Sequence, residues 1–367
     1  MQSILEQQHY IDPEIFADEQ RQIYSKLWIF AGLRTLLAEP DAFLTRTIAG
    51  IPIVIQNFAG TLKAFENQCA HRQTPLQLED YGQRRLACRY HGWVYDDQGK
   101  VKSIPGEHTL YQYPQAERAQ LCLHEFALEF LGNLIFVNLS EQPLPIEQQF
   151  SAELRQQLTD ISGHFSSQVI HTSIPANYNW KLNFENVLDF NHVPFIHPSS
   201  FRPLMEDVGA AIKMPVTIVE SVDDTKLSDL SFGSKMSLKV KKWPWHQMVE
   251  RYGDTDTYYN FFLYPNVNFI SVGGLVFLVQ QFDPVTVDHT DVRFSLMTAR
   301  EKQRIGALPA ILWGHLKGEK RVLDEDRIVL EALQKQLRSG GRRAAHGAYE
   351  TQLRRVAHIY RQLMEAA

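Results

Sequence analysis

Cys69-Ala70-His71-Arg72 and Cys88-Arg89-Tyr90-His91-Gly92-Trp93, with 16 residues between His71 and Cys88, decide how this chain is read. Each stretch offers one thiol and one imidazole at close spacing, so two short loops can close around a single metal group. An iron pair bridged by sulfide takes two thiolates on one iron and two neutral imidazoles on the other. The same four side chains can enclose a tetrahedral structural zinc. Spacing alone leaves both readings open, and either one needs the loops to be held on a rigid frame.

The flanking sequence supplies that frame. Short runs rich in β-branched and aromatic residues at 43–48, 53–58, 61–65, 93–95 and 133–138 are separated by turn signals such as Ala59-Gly60 and Asp96-Asp97-Gln98-Gly99, which predicts a small all-β unit. Ahead of it, Pro13 to Leu27 carries apolar residues at helical spacing, with Asp12 and Glu14 early and Lys26 late, as a helix complementing its own dipole would. Glu141-Gln142-Pro143-Leu144-Pro145 reads as a boundary. Beyond it, helical pattern at 180–190, 305–337 and 349–364 brackets strand candidates at 216–221, 236–240, 258–264, 267–272, 276–282 and 292–298. Successive strands with hairpin-length connections predict an antiparallel sheet flanked by helices, so the class is α+β. The expected division is 1–40 as an N-terminal helical segment packing on the second domain, 41–142 as the β domain, and 143–367 as that second domain.

Composition narrows the function. Thirty-seven Lys+Arg against 42 Asp+Glu give a formal charge of −5 in 367 residues, with no basic footprint for nucleic acid or anionic lipid. The N-terminus has no basic and apolar leader and no long apolar run follows, so a cytoplasmic location is expected. Three cysteines do not make a disulfide framework. Cys122, the one outside the two loops, reads as a packing residue.

A second constellation lies in Glu185-Asn186-Val187-Leu188-Asp189-Phe190-Asn191-His192-Val193-Pro194-Phe195-Ile196-His197. On a helix Asp189 and His192 share a face. His197 would point about 140° away from His192, and a break at Pro194 can swing it back. Two imidazoles and one carboxylate, with a face left open, suit ferrous iron that activates dioxygen. Asp324, Glu325 and Asp326 offer carboxylates on a late helix. Phe184, Phe190, Phe195 and Phe201 are candidates for an apolar substrate wall.

Together these motifs resemble the catalytic subunit of the Rieske non-heme iron oxygenases, the ring-hydroxylating family, over nearly the whole chain. Cys-x-His-x16-Cys-x2-His before Gly-Trp resembles the Rieske centre, and Asp-x2-His-x4-His resembles the catalytic iron motif. One departure is Gln73, where the family usually has Gly. The resemblance implies a Rieske domain and a helix-grip catalytic domain. It implies that Cys69, His71, Cys88 and His91 bind a [2Fe-2S] cluster, and that His192, His197 and Asp326 bind a mononuclear Fe(II). Asp326 falls into step with the family's late Glu-Asp-x4-Glu-x2-Gln pattern, here Glu325-Asp326, Glu331 and Gln334. Asp189 matches the carboxylate that links the iron site to a Rieske His of a neighbouring subunit in a homotrimer.

The implied activity is O2-dependent hydroxylation, or oxidative demethylation, of a small organic substrate, aromatic ones included. The chain has no G-x-G-x-x-G after a strand and no P-loop, so an NAD(P)H-dependent reductase, with or without a ferredoxin, is the expected electron source. Only Val187 and Leu188 separate Asn186 from Asp189, one residue fewer than in typical ring dihydroxylases, which favours the monooxygenase branch over cis-dihydroxylation. A zinc-bearing or electron-transfer protein without oxygenase activity is the rival from another class.

Overall fold

The structure is a computed structural model that describes residues 3–204, 224–238, 241–254, 256–340 and 344–365. The fold is α+β, and chain contacts divide it into two units, Tyr24–Ile146 and Met1–Ile23 with Glu147–Ala367. The first division therefore falls near residue 23 and not near 40. The reason is that β1 (Ile29–Leu33) is itself a strand of the β unit, paired with β9.

In the β unit, β2 (Ala42–Ile48), β3 (Ile51–Phe58), β4 (Thr61–Glu66), β5 (Tyr81–Gln83), β8 (Glu125–Leu131) and β9 (Leu134–Asn138) join β1 in a seven-stranded sheet of order β1-β9-β8-β4-β3-β2-β5. β6 (Val94–Tyr95) and β7 (Val101–Ser103) form a separate hairpin. The two Cys/His loops leave this scaffold at β4 and before β6. Their inner side chains share one core with Phe43, Val54, Phe65 and Trp93. Cys122 is exposed, contrary to its expected packing role. It sits in an isolated bridge with Lys100, where alternation turns Leu123 inward and Cys122 and His124 outward.

In the mixed unit, β10 (Phe165–Ala176), β11 (Ser231–Ser237), β12 (Thr257–Leu263), β13 (Val267–Val272), β14 (Val276–Thr286) and β15 (His289–Ala299) form an antiparallel sheet of order β10-β15-β14-β13-β12-β11. The strand expected at 216–221 lies outside the described residues, as do the last two positions of the one expected at 236–240. A 31-residue helix, Leu308–Arg338, and the helix Thr351–Glu365 follow the sheet. Glu331 and Gln334 fix the register of the long helix. Glu331 Oε1 accepts from Asn177 N at 3.1 Å, and Gln334 Oε1 accepts from Asn179 N at 3.0 Å, both just beyond the end of β10. Among the described residues no helix is long and apolar enough to cross a membrane.

The N-terminal helix is shorter than its periodicity predicts. Asp12 caps it by accepting from Glu14 N at 2.8 Å, Pro13 starts it, and after Glu19 it widens into a π-turn over Gln20–Tyr24. Glu19 at its end is fully buried in the mixed unit, and Tyr10 ahead of it is buried as well. The Tyr10 hydroxyl donates to Glu185 Oε1. Burial pushes the Glu185 carboxyl up to about 7, against the Tyr10 hydrogen bond and the Lys181 charge. In the unfolded chain the same group titrates near 4.5. Between these values the native state binds more protons than the unfolded one, so this group's contribution to stability falls as pH rises. Glu185→Gln is expected to be more stable than the parent at pH 8, by about 1–3 kcal/mol, and nearly equal to it at pH 4.5. Unfolding midpoints at the two pH values check this.

Candidate metal centres

The two Cys/His loops have the same backbone construction. Gln73 N donates to Cys69 O at 2.8 Å and Gly92 N donates to Cys88 O at 3.0 Å, so each cysteine opens a turn closed four residues later. The closing residues are both left-handed, Gln73 at φ 59° and Gly92 at φ 74°. Gln73 thus adopts the conformation for which glycine is the low-cost residue, because its Cβ crowds the following carbonyl. Gln73→Gly is expected to stabilise the β unit by about 0.5–1 kcal/mol, the relieved strain of roughly 1–2 kcal/mol being partly offset by glycine's larger unfolded-state entropy. Thermal unfolding at unchanged iron and sulfide content would show it. Asn67 closes the first loop from below, its Oδ1 accepting from Leu76 N and Gln77 N, both at 2.9 Å.

Inside these turns the thiols are deep and the imidazoles shallow. Cys69 and Cys88 are 2% and 3% exposed, whereas His71 and His91 are half-buried with ring centroids 4.5 Å apart. His71 stacks on Trp93 at 4.8 Å and 6°. The Nδ1 atoms of both histidines are buried without a hydrogen-bond partner, as donor atoms awaiting a metal would be. Burial, with the neighbouring His91 and Arg72, holds His71 below its ordinary pKa and so in the neutral, ligating form. Burial pushes the Cys69 thiol up, and Tyr95, whose Oη lies 3.2 Å from Cys69 Sγ, counters it. The donor set fits a cluster with a buried thiolate iron and an imidazole iron nearer the surface. Tyr95 is a contact that sequence reading missed, because a tyrosine on a short strand carries no signal of the sulfur it will meet.

The second constellation also converges. His192 Nε2 lies 3.7 Å and His197 Nε2 3.0 Å from Asp326 Oδ1, and the three ligand atoms all fall within 4.8 Å of one another. The route differs from the expected one. The helix Lys181–Leu188 ends before Asp189, which is extended and accepts at Oδ1 from Asn191 N at 2.8 Å, an Asx turn that stops the helix. A 3-10 turn, Phe190–His192, and a short helix, Val193–Ile196, follow. Pro194 lies in the first turn of that short helix, where its missing donor costs nothing, so it starts a helix instead of breaking one. His192 Nδ1 is buried without a hydrogen-bond partner, and the Asp189 carboxylate does not reach it.

Glu325 supports the ring of His197, a role that no carboxylate fills for His192 among the described residues. His197 Nδ1 lies 2.8 Å from Glu325 Oε2, which also accepts from Ser200 Oγ, leaving His197 Nε2 toward Asp326. Burial alone would lower the His197 pKa, but Asp326 and Glu325 outweigh it and raise it. Burial holds His192 below its ordinary value despite the Asp326 and Asp189 carboxylates. Asp324 is turned away, paired with Lys320 at 3.1 Å and Arg327 at 3.2 Å. Of the phenylalanines, Phe184 is core against Trp180, Phe262 and Tyr264, and Phe195 is 73% exposed. Phe201 alone of the three lines the cleft beside His192 and His197, and nothing is described of the Phe190 side chain.

Comparison with known proteins places both centres in matched domains. Residues 28–114 match the family model of the Rieske [2Fe-2S] domain, and residues 165–366 match that of the ring hydroxylating alpha subunit (catalytic domain). The chain is 30% identical over 204 residues to the glycine betaine monooxygenase oxygenase subunit of Chromohalobacter salexigens, covering 55% of this chain and 45% of that one. It is 29% identical over 210 residues to the large oxygenase component of the naphthalene 1,2-dioxygenase system of Pseudomonas putida, covering 55% and 46%. The chain thus spans about half the length of these relatives. Among solved structures, a quaternary ammonium Rieske monooxygenase described for carnitine oxidation and inter-subunit electron transfer superposes with a TM-score of 0.75 at 19% identity, covering 98% of this chain and 93% of that one. Naphthalene 1,2-dioxygenase from Rhodococcus sp. does so with a TM-score of 0.74 at 16% identity, covering 98% and 94%.

Proposed function

The chain belongs to the ring-hydroxylating alpha-subunit family, and from that premise we propose that it is the oxygenase component of a system that hydroxylates, or oxidatively demethylates, a small organic molecule with O2. The observation that carries this reading is the convergence of His192, His197 and Asp326 within 4.8 Å beside a cleft. Cys69, His71, Cys88 and His91 would hold a [2Fe-2S] cluster, and His192, His197 and Asp326 would hold ferrous iron. A ferrous ion with two imidazoles and one carboxylate keeps coordination positions open for dioxygen, and a Rieske cluster supplies single electrons.

The remaining work falls to side chains. Glu325, itself held by Ser200, fixes the ring of His197 through Nδ1, which leaves Nε2, 3.0 Å from Asp326 Oδ1, as the nitrogen that would act as metal donor in the neutral ring. In a homotrimer Asp189, at the end of its helix, would link the iron site of one chain to the partner subunit's His91 and so give an electron path across a subunit boundary; within one chain its carboxylate does not reach His192 Nδ1. The inter-subunit transfer described for the quaternary ammonium monooxygenase supports this arrangement. The electrons come from a separate NAD(P)H-dependent reductase, directly or through a ferredoxin. The short Asn186–Asp189 spacing favours incorporation of one oxygen atom over cis-dihydroxylation.

Metal and sulfide analysis of anaerobically purified protein, with EPR of the reduced state, tests the reading. About two cluster irons with sulfide and about one further iron per chain are expected. Zinc without sulfide would overturn it in favour of a structural or electron-transfer protein.

A further inference from the structure

The cleft beside His192, His197 and Asp326 contains a second carboxylate that the proposed reaction leaves unused. Glu319 and Asp326 stand on the same long helix, seven residues apart, which is about 10 Å along the axis and nearly the same face. Val322 continues the stripe between them, and all three line the cleft. Glu319 has no hydrogen bond or ion pair among the described residues, and no Lys or Arg is among the described residues lining the cleft. A carboxylate in a partly enclosed wall is costly to leave without a counter-charge.

The rest of the wall has the same polarity. Phe201 and Tyr258 line the cleft with ring centroids 5.1 Å apart at 60°, presenting aromatic surface. Burial first, and then the Glu319 and Asp326 charges, push the Tyr258 phenol well up, so the ring stays neutral. Asn260 on β12 and Asn268 on β13 each bury a side-chain carbonyl oxygen without a partner, while the Asn268 amide donates to Gln280 Oε1 at 2.9 Å. Acceptors and aromatic faces both attract positive charge, and Glu319 repels anionic groups.

We propose that this cleft takes the head group of an organic ammonium ion, with Glu319 as the counter-charge that sets specificity and Phe201 and Tyr258 as its aromatic wall. The assignment rests on the cleft being the substrate site of the oxygenase reading, and it goes further by naming the substrate class. Burial pushes the Glu319 carboxyl up to about 7, as expected of a carboxylate whose partner arrives with the ligand.

Anaerobic calorimetric titration of the metal-loaded enzyme tests it, with choline, protonated 2-(dimethylamino)ethanol and their neutral carbon analogue 3,3-dimethylbutan-1-ol as probes. Both cations are expected to bind at least about tenfold more tightly than the neutral analogue. Glu319→Gln should bring that ratio toward one while leaving the neutral analogue's affinity unchanged, and Glu319→Asp should restore part of it. Tighter binding of the amine than of choline would assign a direct N–H hydrogen bond to Glu319, and equal binding would assign the aromatic wall the larger share. Binding of the neutral analogue as tightly as the cations, retention of the ratio in Glu319→Gln, or no binding of any probe would overturn the proposal. The readout needs no turnover, so the two readings fail separately. Selective binding without substrate-dependent oxygen uptake counts against the oxygenase reading alone, and oxygenation of neutral compounds without cation selectivity counts against this one alone.

Discussion

Asp326→Ala should yield a folded protein that keeps its Rieske iron and loses the third, falling from about three to about two irons per chain, with substrate-dependent oxygen uptake abolished. The side chain is the anionic member of the trio, and its Oδ1 stands 3.0 Å from His197 Nε2 and 3.7 Å from His192 Nε2. Removing it leaves only the two imidazoles, and two imidazoles alone hold a hard ferrous ion weakly. Glu325→Ala should be milder. It frees the His197 ring to turn, and loss of such a supporting hydrogen bond costs about 10–100-fold in metal affinity. Asp189→Asn supplies the contrast: all three irons should stay, while NADH-driven turnover should stop if Asp189 carries the proposed link between subunits. Iron analysis, EPR of the reduced cluster and oxygen uptake on the same three preparations separate these outcomes. Normal iron content in Asp326→Ala would remove that residue from the site.

What could be read from sequence follows from how much each role constrains residue type. Thiol and imidazole ligands at fixed short spacing leave few alternatives, so the two loops were legible, as was the His192 and His197 pair. Asp326 was legible only through resemblance, because Asp324 and Glu325 beside it carry the same chemistry. The structure separates the three by their partners: Asp324 faces Lys320 and Arg327, Glu325 faces His197 Nδ1, and Asp326 faces the two Nε2 atoms. The strand β10 escaped notice because it lies at the sheet edge, where Ser167, Gln168, His171 and Thr172 need not alternate with apolar residues. Glu319 could not be singled out either. On a helix with a solvated face, one more glutamate is unremarkable until the fold shows which side it occupies.

The largest loss of stability is expected from a residue far less conspicuous in sequence, Lys181. It reads only as the start of a helix, yet Lys181 and Glu19 are both fully buried and their Nζ and Oε1 atoms lie 2.5 Å apart. Trp180 Nε1 donates to Glu19 Oε2 at 2.7 Å and the Tyr360 hydroxyl donates to Oε1 at 2.6 Å, so the carboxylate draws three donors from two helices. The ammonium in turn lies 5.4, 5.1 and 5.6 Å from the ring centroids of Tyr10, Trp180 and Tyr360. Lys181→Met keeps the volume and removes the charge, leaving Glu19 ionised in the interior or forcing it to take a proton. Breaking such a pair costs about 3–5 kcal/mol. For a unit of this size that is roughly 6–20 °C in the unfolding midpoint. Because Lys181 opens the helix that ends at Asp189, iron retention on warming should fall in step. Glu19→Gln combined with Lys181→Met should recover much of the loss, since a neutral pair leaves no uncompensated charge. Calorimetry of the parent, both single variants and the double variant measures the coupling, and additive effects would show that the two charges do not depend on each other.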